Sequence, residues 1–172
     1  GDIDISFTNP FVYVLLHHRA GAQAFARAVE EQGGADFQGQ IIVRTDNAAI
    51  TSLNDCQGKT WIAVDPTSAG GYLFPLALFH DHGITLEQFA RVEFARGFGG
   101  KQEQVVLAVL SGAYDIGTIR KGTLDIVARR SDVSAIRVLA ETPPYPGWLF
   151  CARRNLPQEV VDQIARSLVA LR

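Results

Sequence analysis

Hydrophobic positions along this chain fall in short blocks whose spacing switches between the two-residue period of a strand and the three-to-four-residue period of a helix. Ile3 to Phe7 reads as a buried strand closing at Thr8-Asn9-Pro10, and Pro10 suits the first position of a helix from Phe11 to about His18. Ala24 to Glu31 fits either period; Gly33-Gly34 beyond it and the run from Phe37 to Thr45 favour strands for both. Ser52-Leu53-Asn54-Asp55 has capping-box spacing for a short helix ending near Gly58, and Thr85-Leu86-Glu87-Gln88 repeats it. Further strands are expected at Trp61 to Val64, Val92 to Ala95, Tyr114 to Thr118, Ile136 to Ala140 and Trp148 to Ala152.

Four more helices are expected among these strands. One runs from Tyr72 to about His82, kinked slightly by Pro75 and ended by Gly83. The next follows Gly97-Phe98-Gly99-Gly100, carries Val105, Val106, Val109 and Leu110 on one face, and closes at Gly112. Thr123 to Arg129 is short. The last has Pro157 in its first turn and Val160, Val161, Ile164, Leu168 and Leu171 on its buried stripe. Glu141 to Gly147 holds three of the seven prolines and reads as a stiff connector. Strands alternating with helices predict an α/β fold with parallel sheets covered by helices on both faces.

The junction Val64 to Leu73 stands out within this pattern. An apolar strand runs into Asp65-Pro66-Thr67-Ser68-Ala69-Gly70-Gly71, and a helix opens there. The first amides of a helix have no intrahelical acceptor and sit at the positive end of its dipole. With Thr67 and Ser68 alongside, the junction suits an anion, and it equally suits a plain turn capped by either hydroxyl.

The chain also echoes itself. Gly1 to Thr8 resembles Gly112 to Thr118, and each copy continues into a helix, a strand, a connector and another strand. Those last strands end as Val43-Arg44-Thr45-Asp46-Asn47 and Cys151-Ala152-Arg153-Arg154-Asn155. A repeat of that length predicts two related lobes: residues 1–36 with 142–172, and residues 37–141. Ligands of open α/β sheets bind beyond the carboxyl ends of strands. Here those ends are Thr8-Asn9 in one lobe, and Thr67 to Gly71, Gly97 to Gln102 and Thr118 to Arg120 in the other, a clamshell arrangement. The first lobe counts two sheet strands and one crossing strand against four and one in the second. An incomplete N-terminus of that lobe is therefore expected.

Composition narrows the function classes. Of 172 residues, 47% are hydrophobic and 20% charged, which describes a globular chain with a core. A net charge of -2 provides no basic footprint for nucleic acid. No apolar run approaches the ~20 residues of a membrane span. Cys56 and Cys151 lack metal or redox spacing, which leaves a disulfide between them open. His80-Asp81-His82 and His17-His18 end helices, where histidines suit the dipole, so no metal or cofactor is expected.

Several segments together resemble the phosphate/phosphonate-binding periplasmic proteins: Asp4 to Pro10, Ile41 to Arg44, Leu53 to Lys59, Asp65 to Leu73 and Ala108 to Gly112. The resemblance spans nearly the whole chain and implies a two-lobed type II periplasmic-binding-protein fold without catalysis. It implies an extracytoplasmic domain that closes on a small phosphorus or sulfur oxyanion and hands it to the permease of an ABC transporter. Relatives serve as sensor regions of membrane histidine kinases, and Thr8-Asn9-Pro10, Gly70-Gly71-Tyr72 and Gly117 to Arg120 are more similar to that branch. Ala69 and Gly70 replace hydroxyls usual in the phosphonate binders, and Lys101 or Gln102 stands where those carry a histidine. These departures open the ligand class to other oxyanions.

The expected ligand contacts are Thr67, Ser68, Ala69, Gly70, Gly71 and Tyr72 in the turn, Lys101 and Gln102 at the next helix start, and Arg120 as a two-pronged cation. Thr8 and Asn9 are the candidates from the other lobe. An enzyme acting on oxyanion esters is the competing class. It has little support, because no histidine, cysteine or acid pair falls at the strand ends and no phosphate-loop lysine follows the glycines.

Overall fold

A computed structural model describes residues 3–29, 34–97 and 99–171. Gly1-Asp2 of the echo, Glu30 and Glu31 of the expected second strand, Gly33 of the connector, and Phe98 lie outside the described residues. In chain order the first elements are β1 (Ile5–Thr8), α1 (Pro10–Ala20), β2 (Gln23–Arg27), β3 (Asp36–Phe37), β4 (Gly39–Arg44) and β5 (Thr60–Ala63). There follow α2 (Phe74–Asp81), β6 (Arg91–Phe94), α3 (Lys101–Leu110), β7 (Ile116–Arg120), α4 (Thr123–Ala128) and β8 (Ile136–Glu141). The last are β9 (Tyr145–Pro146), β10 (Leu149–Ala152) and α5 (Gln158–Ala170). Both expected capping boxes form, over short helical turns at Leu53–Cys56 and Leu86–Gln88.

The chain divides into two units, Gly1–Phe37 with Tyr145–Arg172, and Gln38–Pro144. In the smaller unit β10 lies between β1 and β2 and runs antiparallel to both. Pro10 opens α1 and Asn9 caps it, its side-chain oxygen accepting from the Val12 amide at 3.0 Å. Gly21 ends the helix at φ 66°, a left-handed conformation that a Cβ disfavours. Tyr13 and Leu16 of α1 pack on Ala22, Leu149 and Cys151.

The larger unit carries a five-stranded sheet in the order β6-β5-β7-β4-β8. The expectation of parallel sheets holds only for β6, β5 and β7; β4 is antiparallel to both β7 and β8, so the sheet is mixed. Alternating strands and helices could not reveal this, because β4 enters directly from the smaller unit without a crossover helix. One helical layer presents Val105, Val106 and Val109 of α3 to Ile42, Ile62 and Ile119. The other face packs Trp61, Phe79, Phe89 and Ile84 with Ile41 and Ile116. Gly117 permits the close approach of α3: a Cβ there would lie 2.7 Å from Val109 and 2.8 Å from Val105.

Several boundaries differ from expectation. The run Phe37 to Thr45 divides into β3 and β4, and β3 pairs with β9 inside what read as a stiff proline connector. Ile3 and Phe7 are exposed rather than buried, and in β1 only Thr8 is buried. On α5 the buried stripe reduces to Val161 with partly covered Ile164 and Leu168; Val160 and Leu171 face solvent. β7 starts and ends two residues later than expected, which makes Arg120 its last residue.

Candidate functional site

The junction after β5 folds as a wide helical turn, Ala69–Leu73, continuous with α2. Its hydrogen bonds are those of a widened helix. Leu73 donates to the Ser68 carbonyl at 3.0 Å and Phe74 to that of Ala69, each reaching one residue further than in an α-helix. Pro75 has no N–H, so the Gly71 carbonyl loses its helical donor. That oxygen takes two replacements instead, the Thr118 hydroxyl at 2.7 Å and the Val64 amide at 3.3 Å.

Thr118 is fully buried, and its hydroxyl also accepts from the Trp61 indole N–H at 2.9 Å. A relay from Trp61 through Thr118 to Gly71 thus clamps the turn to β5 and β7. Glycine is required at two close approaches. A Cβ on Gly71 would lie 2.5 Å from Val64, and one on Gly39 of β4 would run into the Gly70 carbonyl oxygen. The turn is pressed onto β4 and held there by buried hydrogen bonds.

Ser68 is the cap residue: its side-chain oxygen accepts from the Gly71 amide at 3.2 Å. Accepting leaves the hydroxyl its own hydrogen to donate. The Tyr72 amide is taken by the Ser68 carbonyl at 3.1 Å. Expectation offered the amides of Gly70 to Tyr72 to a ligand. Those of Gly71 and Tyr72 serve the turn, whereas Ala69 and Gly70, at the first two positions, precede any intrahelical acceptor. The Tyr72 ring packs against Trp61 at 5.5 Å and edge-on to Phe94 at 4.9 Å, and burial pushes its phenol up.

Asp65 was not among the expected site residues, yet it organises the polar side of the turn. One carboxylate oxygen accepts from the Thr67 hydroxyl at 2.7 Å and the Thr67 amide at 2.9 Å. The other takes the Lys101 ammonium at 2.6 Å. Lys101 hydrogen bonding first, then Thr67, holds the Asp65 carboxyl down at about 2. Lys101 opens α3, where a cation is poorly placed against the helix dipole, and Asp65 offsets it. In the sequence Asp65 before Pro66 reads as an ordinary turn former.

Gln102 brackets the neighbouring strand end. Its side-chain oxygen accepts from the Arg120 amide at 2.8 Å and from the Thr123 hydroxyl at 3.4 Å. The larger unit therefore gathers Thr67 to Tyr72, Lys101, Gln102 and Arg120 at the carboxyl ends of β5 and β7 and the start of α3. Thr8 and Asn9 occupy the equivalent position in the smaller unit, at the end of β1 and the start of α1. Both cysteines are free and buried, and desolvation pushes the Cys56 thiol up to about 12. Among the described residues no three histidine, cysteine or acidic side chains gather as a metal site. No helix there is long and apolar enough to cross a membrane.

The mixed α/β sheet with its strand ends meeting a glycine turn is the fold of the type II periplasmic binding proteins. Residues 1–172 match the family described as ABC transporter, phosphonate, periplasmic substrate-binding protein, and the chain belongs to that family. It is 28% identical over 98% of its length to the tetrathionate sensor histidine kinase TtrS of Salmonella typhimurium, covering 30% of that protein. It is 26% identical over 95% of its length to the phosphate-import protein PhnD of Mycolicibacterium smegmatis, covering 54%. A binding-protein component of an ABC phosphonate transporter from Pseudomonas aeruginosa shares its fold, with a TM-score of 0.76 at 22% identity. That match covers 95% of this chain and 55% of the other, so the chain spans about half or less of the length of these relatives.

Proposed function

We propose that this chain is an extracytoplasmic solute-binding domain that takes a small phosphorus or sulfur oxyanion at the turn Ser68 to Gly71. The observation that carries the reading is the turn itself. The Ala69 and Gly70 amides open a helix, the Ser68 hydroxyl keeps a hydrogen to donate, and buried contacts hold the backbone rigid. Arg120, on the neighbouring strand end, would supply the charged contact. Membership of a binding-protein family supports capture without turnover, with an ABC permease as the recipient.

A second reading, ligand sensing for an attached histidine kinase, is favoured by the similarity to TtrS across 98% of the chain. It uses the same turn and differs in what the domain is joined to. The test is calorimetric titration with phosphate, methylphosphonate, sulfate, thiosulfate and tetrathionate, on the unaltered protein and on Ser68→Ala and Arg120→Ala. Binding of at least one anion, weakened at least tenfold in each variant with the fold intact, is expected. Binding unaffected by both substitutions would place the ligand elsewhere. Hydrolysis of a phosphate or sulfonate ester that vanishes in Arg120→Ala would make the protein an enzyme.

A further inference from the structure

We infer that Asp65 sets the charge this site accepts, favouring an oxyanion group with one negative charge over a group with two. The inference rests on the turn being the anion site and deepens that reading. Lys101 is a cation presented beside the turn, but Asp65 already matches it at 2.6 Å. Both side chains are largely withdrawn from solvent, 26% and 29% exposed, so the pair is not dissolved by water screening. The same carboxylate holds the Thr67 amide and hydroxyl, removing two further donors from a ligand.

What remains for a ligand is the Arg120 cation, the helix-end partial charge, about half an elementary charge, and the Ser68 hydroxyl. That suffices for one negative charge. A second charge on the same group meets the Asp65 carboxylate with its lysine already matched. Lys101 is the charged group facing Asp65 from α3. Glu103 on the same helix and Arg96 after β6 make no hydrogen bond to it among the described residues. Charge per group, rather than phosphorus or sulfur, is then what the site reads. A sulfonate, either singly charged end of a dithionate-type chain, and dihydrogen phosphate belong to one class. Sulfate and hydrogen phosphate belong to the other.

The experiment is calorimetric titration of the unaltered protein and Asp65→Asn with methanesulfonate, sulfate, and inorganic phosphate at pH values below and above its second ionisation. The unaltered protein is expected to bind methanesulfonate and low-pH phosphate more tightly than sulfate and high-pH phosphate. Removing one charge beside the bound group, in a medium of effective dielectric ~20, corresponds to at least a tenfold change per ligand charge. Asp65→Asn should therefore narrow the single-over-double preference at least tenfold. The phosphate pH series on the unaltered protein tests the idea even if the variant folds poorly. Tighter binding of the doubly charged forms by the unaltered protein, or the same preference in both proteins, overturns the inference while leaving the anion site standing. No binding of any probe by either protein removes the anion site and the inference together.

Discussion

Thr118→Val probes the clamp on which the turn depends. Valine keeps the shape of threonine, so the substitution opens no cavity and removes one hydroxyl from a fully buried position. Two groups lose a partner: the indole N–H of fully buried Trp61, and the Gly71 carbonyl, which retains only the Val64 amide at 3.3 Å. A buried polar group left unsatisfied costs about 1–3 kcal/mol. The indole should cost near the middle of that range and the carbonyl near its lower end, a loss of roughly 3 kcal/mol in all. For a chain of this length each kcal/mol moves the melting temperature by about 2–4 °C, which predicts a fall of roughly 6–12 °C. Calorimetry, scored on the transition of the larger unit, measures it. Thr118→Ser keeps the relay and loses one methyl, worth about 1 kcal/mol. A Thr118→Val protein within about 0.5 kcal/mol of the original, the range of an ordinary surface change, would refute the clamp.

Two further predictions concern the same turn. Gly39→Ala places a Cβ against the Gly70 carbonyl and 3.0 Å from the Pro75 ring; it should destabilise the protein by about 1–3 kcal/mol, and a neutral urea midpoint would show that the turn is not pressed onto β4. The Asp65 carboxyl is depressed from 3.8 to about 2, so its contribution is complete above pH 4 and is lost as pH falls towards 2. The shift corresponds to at most about 2 kcal/mol, and nearer 1 with partial exposure, so Asp65→Asn should flatten the acid limb of a stability–pH curve by about that amount; an unchanged limb would contradict the ion pair.

How far the sequence disclosed this protein differs from residue to residue. Pro10 after Asn9, the two capping boxes and the valine stripe of α3 are local signals, and local rules suffice for them. The antiparallel course of β4 is a long-range property carried by no local pattern. Phe7 and Val160 misled because an apolar residue at the right spacing reads as core wherever it ends up. Ser68 and the glycines were legible as a capped helix start, because helix starts follow general chemistry. Asp65 was not, since its role depends on a lysine 36 positions along the chain. The self-echo was legible and has a structural counterpart. β10 lies between β1 and β2 as β4 lies between β7 and β8, each pairing with one register shift along the strand.

The placement of β10 also bears on how the protein is made. Among the described residues β1 and β2 do not pair with each other; each pairs with β10, more than a hundred positions along the chain from β2. The larger unit is one uninterrupted stretch, Gln38–Pro144, complete while β10 is still untranslated. At ordinary rates of synthesis β1 and β2 wait roughly 6–25 s before β10 emerges. During that interval the half-finished sheet, with Phe7 and Phe25 on its strands, is what chaperones and neighbouring nascent chains encounter. Of the two units, the one holding β1 and β2 therefore gains its central strand only after the larger unit has been synthesised.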